Sequence, residues 1–170
     1  MTLDRARFLE VLKDAYSAYY DINEDVKTAL PLAFRADYKN RDELFFLVKS
    51  ATIWGNEKNE YWYLFSASDF SPATVKACVD YALADGLPRV KPHKEHQCTN
   101  IKVVFLADKA DDEVRKAVKK LSFTKNYKFG LWGFTNLLAG FVDMETQKTV
   151  TNAAGHELAP FFKKLFDLRA

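Results

Sequence analysis

The sequence predicts an α/β (α+β) fold, a mixed sheet built on an antiparallel three-stranded meander with helices packed on it. Three observations predict it. Apolar residues recur at helical spacing in four segments, they alternate or run unbroken at strand spacing between those segments, and the two patterns interleave as α-β-β-β-α-β-α-β-β-α. The 170 residues are 48% hydrophobic and 15% aromatic. That is enough to bury a core without covalent or metal staples, so residues 1–170 are expected to form a single globular domain with large rings filling its interior.

The first helix is expected from Leu3 to about Tyr19. Thr2 is placed to cap it, and Leu3, Phe8, Leu9, Leu12, Ala15, Tyr16 and Tyr19 share one face. Asp21-Ile22-Asn23 breaks that pattern, and Pro31 marks entry into extended chain, because a residue preceding proline avoids the α region. Residues 32–38 then alternate, residues 43–54 are rich in aromatic and β-branched side chains, and residues 60–65 follow the turn Gly55-Asn56-Glu57-Lys58-Asn59. Short connections make these three strands an antiparallel meander.

Ser71-Pro72 is a cap followed by proline at the first helical position, and Val75, Cys78, Val79, Ala82 and Leu83 keep one face until Gly86 is expected to stop the helix. A polar loop over residues 87–100 leads into Ile101-Lys102-Val103-Val104-Phe105-Leu106, which reads as a buried strand. Asp111, Asp112 and Glu113 precede Arg115, Lys116, Lys119 and Lys120, the charge order that a helix dipole favours. Residues 127–134 and 137–143 read as two further strands, with 149–151 as a short addition after the turn at 145–148. The final helix carries Leu158, Phe161, Phe162, Leu165 and Phe166, with Pro160 in its first turn.

The charge balance excludes several classes of function. The 25 basic and 23 acidic side chains are dispersed, so no basic block announces nucleic acid or anionic lipid. Met1-Thr2-Leu3-Asp4-Arg5 does not open a signal or transit peptide, and no apolar run approaches the roughly 20 residues of a membrane span. Cys78 and Cys98 suggest no disulfide framework. A cytoplasmic protein is therefore expected, without a membrane and without a strong nucleic-acid signal.

No cofactor is expected. Neither cysteine has a nucleophile signature, Gly-x-Ser-x-Gly is missing, and no glycine-rich turn joins a strand to a helix. His93-Lys94-Glu95-His96-Gln97-Cys98 gathers two of three histidines and one of two cysteines, but no second ligand pair follows at zinc-site spacing, so it reads as a polar loop without metal. Gly130-Leu131-Trp132-Gly133-Phe134 reads as a strand segment with a bulge or a close backbone approach.

Asp37, Glu43, Lys49 and Glu60 are the weak catalytic candidates. Their setting, α-β-β-β-α-β over residues 3–106, resembles in element order the core of PD-(D/E)xK nucleases, where acids on adjacent strands hold a divalent cation and a lysine assists the attacking water. In this chain Glu60-Tyr61-Trp62 puts tryptophan at that lysine's place, and Lys49, which interrupts the apolar run from Leu44 to Ile53, is the substitute the meander offers. The binding candidates are Trp54, Tyr61, Trp62 and Tyr63. Side chains alternate along a strand, so Tyr61 and Tyr63 share one face and Trp62 takes the other; one face is core and the other is covered by a helix, a partner or a ligand.

Tyr19-Tyr20-Asp21, Asn59-Glu60-Tyr61, Val142-Asp143-Met144-Glu145-Thr146 and Val150-Thr151-Asn152 together resemble an uncharacterised domain family of Gram-positive bacteria. The resemblance implies a bacterial cytoplasmic protein and supplies no catalytic residues. The functional expectation is a non-enzymatic binding or regulatory module whose partner is a protein or a small ligand. A metal-dependent nuclease-like enzyme, or its degenerate relative, and a small-molecule-binding domain are the alternatives.

Overall fold

A computed structural model describes residues 3–38 and 57–168. Helix α1 (Arg5–Ser17) leads into strands β1 (Tyr20–Asn23), β2 (Leu32–Tyr38) and β3 (Glu57–Ala67). Helix α2 (Pro72–Gly86) and strand β4 (His96–Ala107) follow, then α3 (Asp112–Lys120), β5 (Thr124–Asn126), β6 (Phe134–Asp143), β7 (Lys148–Thr151) and α4 (Leu158–Asp167). The sheet order is β1-β2-β3-β4-β6-β5, with β7 also on β6. β1, β2 and β3 pair antiparallel, β3, β4 and β6 pair parallel, and β5 and β7 run antiparallel to β6. This is the expected mixed sheet with helices packed on it; its antiparallel three-stranded portion is β1-β2-β3, in which residues 32–38 pair directly with β3 and not through the expected middle strand at 43–54.

Strand alternation sends apolar residues to both faces, and each face has its own helices. Tyr63 and Phe65 of β3, Ile101, Val103 and Phe105 of β4, and Leu137, Ala139 and Phe141 of β6 pack against Val75, Cys78, Val79 and Ala82 of α2 and Val114 and Val118 of α3. On the other face Phe34, Ala36, Trp62, Leu64, Val104, Leu106, Leu138 and Val142 meet Phe8, Leu12 and Tyr16 of α1 and Leu158, Phe162 and Phe166 of α4. Phe8 stacks on Phe166 with ring centroids 4.6 Å apart, which ties the first helix to the last. Among the described residues no helix is long and apolar enough to cross a membrane.

Local chemistry explains the helix starts. Asp4, Ser71 and Asp111 each accept a hydrogen bond from a first-turn backbone N–H, at Arg7, Thr74 and Val114. Thr2 lies outside the described residues, and the cap assigned to it belongs to Asp4 because that side chain reaches the free amide. Pro160 stands in the first turn of α4, as its missing N–H requires.

The structure corrects several local expectations. Residues 21–23 do not merely break α1, because Tyr20–Asn23 pairs with residues 35–38 as an edge strand. Glu57, Lys58 and Asn59 open β3 and pair with β4, where a turn was expected. Residues 96–100 belong to β4, since parallel pairing to β3 and β6 satisfies backbone groups that a polar loop would leave to water. Residues 127–134 are not a strand before Phe134. Lys128, Phe129, Gly130 and Gly133 all have positive φ, which curls the chain through left-handed turns that no strand accommodates.

Two glycines act through close approach. A Cβ on Gly133, at φ +76, would lie 2.2 Å from the Gln97 carbonyl oxygen, the backbone contact anticipated for this motif. Gly86 has ordinary helical geometry and does not stop α2 by turning left-handed. Its missing side chain makes room for Ile101 and the Tyr63 hydroxyl, 2.9 and 3.1 Å from where a Cβ would be. The expected strand over residues 43–54 lies outside the described residues.

Candidate functional site

Asp37 and Glu60 project from opposite faces of the sheet. Asp37 lies on the α2 face, where Arg89 Nη1 donates to it at 2.7 Å and Arg89 Nη2 donates to the Tyr63 hydroxyl at 2.8 Å. That hydroxyl donates to Asp85 at 2.6 Å, and Arg35 also binds Asp85 at 2.9 Å. The Arg89 guanidinium sits 4.1 Å over the Tyr61 ring. Tyr61 and Tyr63 therefore belong to an ion network under α2. Glu43, Lys49 and Trp54 lie outside the described residues.

Glu60 and Trp62 face α1 and α4, where the sheet carries an open cavity of about 480 Å³. Tyr16, Tyr19, Tyr20, Tyr38, Trp62 and Phe161 supply its rings, Ala15 and Leu158 its aliphatic wall, and Glu60, Lys102 and Glu157 its charges. Tyr16 is the hub of the rings, with centroids 4.9 Å from Trp62, 5.4 Å from Tyr20 and 6.0 Å from Phe161. These separations match the offset and edge arrangements that aromatic quadrupoles favour. Tyr19 and Tyr38 are exposed at the rim.

Lys102 is the centre of the polar end. It occupies β4 opposite Trp62 of β3, and its side chain is buried beneath the cavity. Its ammonium donates to Glu60 at 3.0 Å, pairs with Glu157 at 2.9 Å and lies 4.7 Å over the Trp62 ring. Glu60 also accepts from the Tyr20 hydroxyl at 2.5 Å and from Trp62 Nε1 at 3.1 Å. Burial pushes the Glu60 carboxyl upward, but the Lys102 charge and these three donors outweigh it and hold the group below the usual carboxylate range. Burial and the hydrogen bond to Glu60 raise the Tyr20 phenol, so it stays a donor.

One polar atom of the ring cluster has no partner among the described residues. The Tyr16 hydroxyl is buried and makes no hydrogen bond among the described residues. Burial, then the nearby Tyr20 and Glu60, push its phenol well above the ordinary range, so it remains protonated. A buried hydroxyl without a partner costs about 1–3 kcal/mol, which makes this atom a point of unspent hydrogen-bonding capacity.

In the histidine-cysteine segment the ring nitrogens have other partners. His96 is buried with both ring nitrogens engaged, at 2.7 Å to the Trp132 carbonyl and 2.9 Å to Thr99 Oγ1. His93 instead meets Glu57 at 2.6 Å. Among the described residues no three His, Cys, Asp or Glu side chains gather as a metal site.

Tyr16, Tyr20, Lys102 and Glu157 were not singled out by sequence reasoning. One signal for Lys102 was present: a lysine inside the apolar run of residues 101–106, the same anomaly noted for Lys49. Glu157 carried none, because its place depends on how α4 returns to the sheet.

A family model for "Domain of unknown function (DUF8052)" matches residues 4–164, and the chain belongs to that family. No curated protein matches the chain, and no solved structure does. The uncharacterised family expected from the sequence is thus established, and the match brings neither the nuclease-like likeness nor a Gram-positive source with it.

Proposed function

We propose that this DUF8052 domain is a non-enzymatic small-molecule-binding module whose ligand occupies the aromatic cavity between the sheet, α1 and α4. The observation that carries the reading is an open, ring-lined space of about 480 Å³ whose polar end gathers Glu60, Lys102 and Glu157. Ligand sites combine such apolar walls with a few oriented polar groups, and the volume falls in their usual range of about 300–1,000 Å³. Asp37 and Glu60 lie on opposite faces, which favours binding over the metal-dependent nuclease alternative. The free, buried cysteines Cys78 and Cys98 support a reducing bacterial cytoplasm as its setting.

The test is titration with N-phenyl-1-naphthylamine, a neutral dye that brightens in apolar surroundings. Wild type is expected to bind one dye saturably. Ala15 is exposed on α1 at the cavity wall, so Ala15→Trp fills the space with little strain on the core. The variant is expected to lose at least tenfold in dye affinity while its melting temperature stays within about 2 °C of wild type, as surface substitutions generally allow. Saturable binding that survives unchanged in Ala15→Trp would place the ligand elsewhere, and no saturable binding by wild type refutes the reading.

A further inference from the structure

We infer that the ligand of this cavity is an organic cation, an amine or quaternary ammonium carried on an apolar body; the inference rests on the binding reading above. Two carboxylates, Glu60 and Glu157, face one ammonium, Lys102, so among the described residues the polar end of the cavity keeps one unit of negative charge. Glu60 is saturated by Lys102, Tyr20 and Trp62. Glu157 is not: its side chain is 54% exposed, and its single ion pair among the described residues runs from Oε1 to Lys102. The unneutralised charge therefore stands at the open side, next to the rings.

The rings point to the same ligand. Aromatic faces are electron-rich, and a cation within about 6 Å of a ring centroid is attracted to them, most strongly when partly desolvated. The cavity already holds one ammonium this way, with Lys102 over Trp62 at 4.7 Å. Tyr19, Tyr38 and Phe161 keep exposed ring surface at the cavity, so a second cation finds π faces and the Glu157 carboxylate together. An anionic ligand would have to displace Glu157 from Lys102 first.

The probes are benzyltrimethylammonium, its neutral carbon isostere neopentylbenzene, and 3-phenylpropionate. Each is titrated against the full chain by ligand-observed NMR and by displacement of the neutral dye. The cation is expected to bind at least tenfold more tightly than the isostere and the carboxylate. Glu157→Gln, an exposed substitution that leaves the core intact, is expected to weaken the cation about fivefold and the neutral dye less than twofold, and raising salt is expected to act in the same direction. Equal binding of the cation and its isostere, or tighter binding of the carboxylate, overturns cation recognition while the dye result upholds the pocket. An unchanged cation affinity in Glu157→Gln also overturns it. Failure of the dye and all three probes refutes the binding reading itself.

Discussion

Asn152→Ala is expected to lower stability by about 3–5 kcal/mol, the range for losing a buried hydrogen-bond network. Asn152 follows β7 and is buried. Its Oδ1 accepts from the Ala139 and Gly155 amides, each at 2.9 Å, and its Nδ2 donates to the Leu121 and Leu137 carbonyls at 3.1 and 3.0 Å. One side chain thus joins β6, the end of α3 and the turn into α4. Alanine takes these partners from the Ala139 amide and the Leu121 and Leu137 carbonyls, and leaves the Gly155 amide only its 3.2 Å bond to the carbonyl of residue 152.

Thermal melting and urea titration check this result. A chain of this size loses about 2–4 °C per kcal/mol, so a fall of roughly 10 °C is expected. Asn152→Asp serves as the second arm. It keeps the acceptor but sets a carboxylate against two carbonyls, so it is expected to be no more stable than alanine. A melting temperature within about 2 °C of wild type for either variant would show that the turn into α4 does not depend on this side chain. Because Glu157 and Leu158 follow that turn directly, loss of Asn152 is also expected to abolish dye binding.

Lys102→Met is the second large effect, at about 2–4 kcal/mol; removing one partner of a buried pair costs up to about 5, and Glu60 keeps some solvent and two other donors. Methionine retains most of the aliphatic volume, so the loss is electrostatic. Lys102→Met combined with Glu60→Gln is expected to recover most of the deficit, because no buried charge is then left unpaired. A double variant as unstable as the single one would show that the lysine acts through packing.

The pH dependence follows from the same pair. In wild type the Glu60 carboxyl lies below its ordinary value of 4.5. Its contribution is therefore fully present above that value and is lost as pH falls through the folded value. Asp143, held down against burial by the Thr146 and Ala110 amides and Arg115, and Glu57, held down by Asn59 and His93, act in the same sense. In Lys102→Met, burial is unopposed by the ammonium and the Glu60 carboxyl moves up. Its ionised form then destabilises the variant at neutral pH, and protonation relieves the penalty. The deficit relative to wild type, measured by urea titration, is expected to narrow between pH 7 and pH 4. A deficit constant over that interval would exclude the charge pair as its cause.

Much of what depends on near neighbours was legible in the sequence. Helical spacing marked α1, α2, α3 and α4, and the cap at Ser71 acts within three residues of its partner. Alternation alone separated Tyr61 and Tyr63 from Trp62, and the structure places them on opposite faces of the sheet. The apolar run of residues 101–106 marked β4 as a strand, since a strand covered on both faces needs no polar alternate.

Pairing decided the rest, because period reports which way a side chain points and not what lies opposite it. Tyr20–Asn23 is a strand through its partner β2, not through its own pattern. Asp37 and Glu60, which the sequence left free to converge, are separated by the pairing of Asp37 with Tyr61, which sends each to its own face. The parallel register that sets Trp62 beside Lys102 brings an ammonium over a ring, and the return of α4 adds Glu157 to it. Sequence alone supplied the rings and the charges; the sheet register and the docking of the last helix made them one site, because contacts between distant residues are fixed by how faces pack and leave no mark on local spacing.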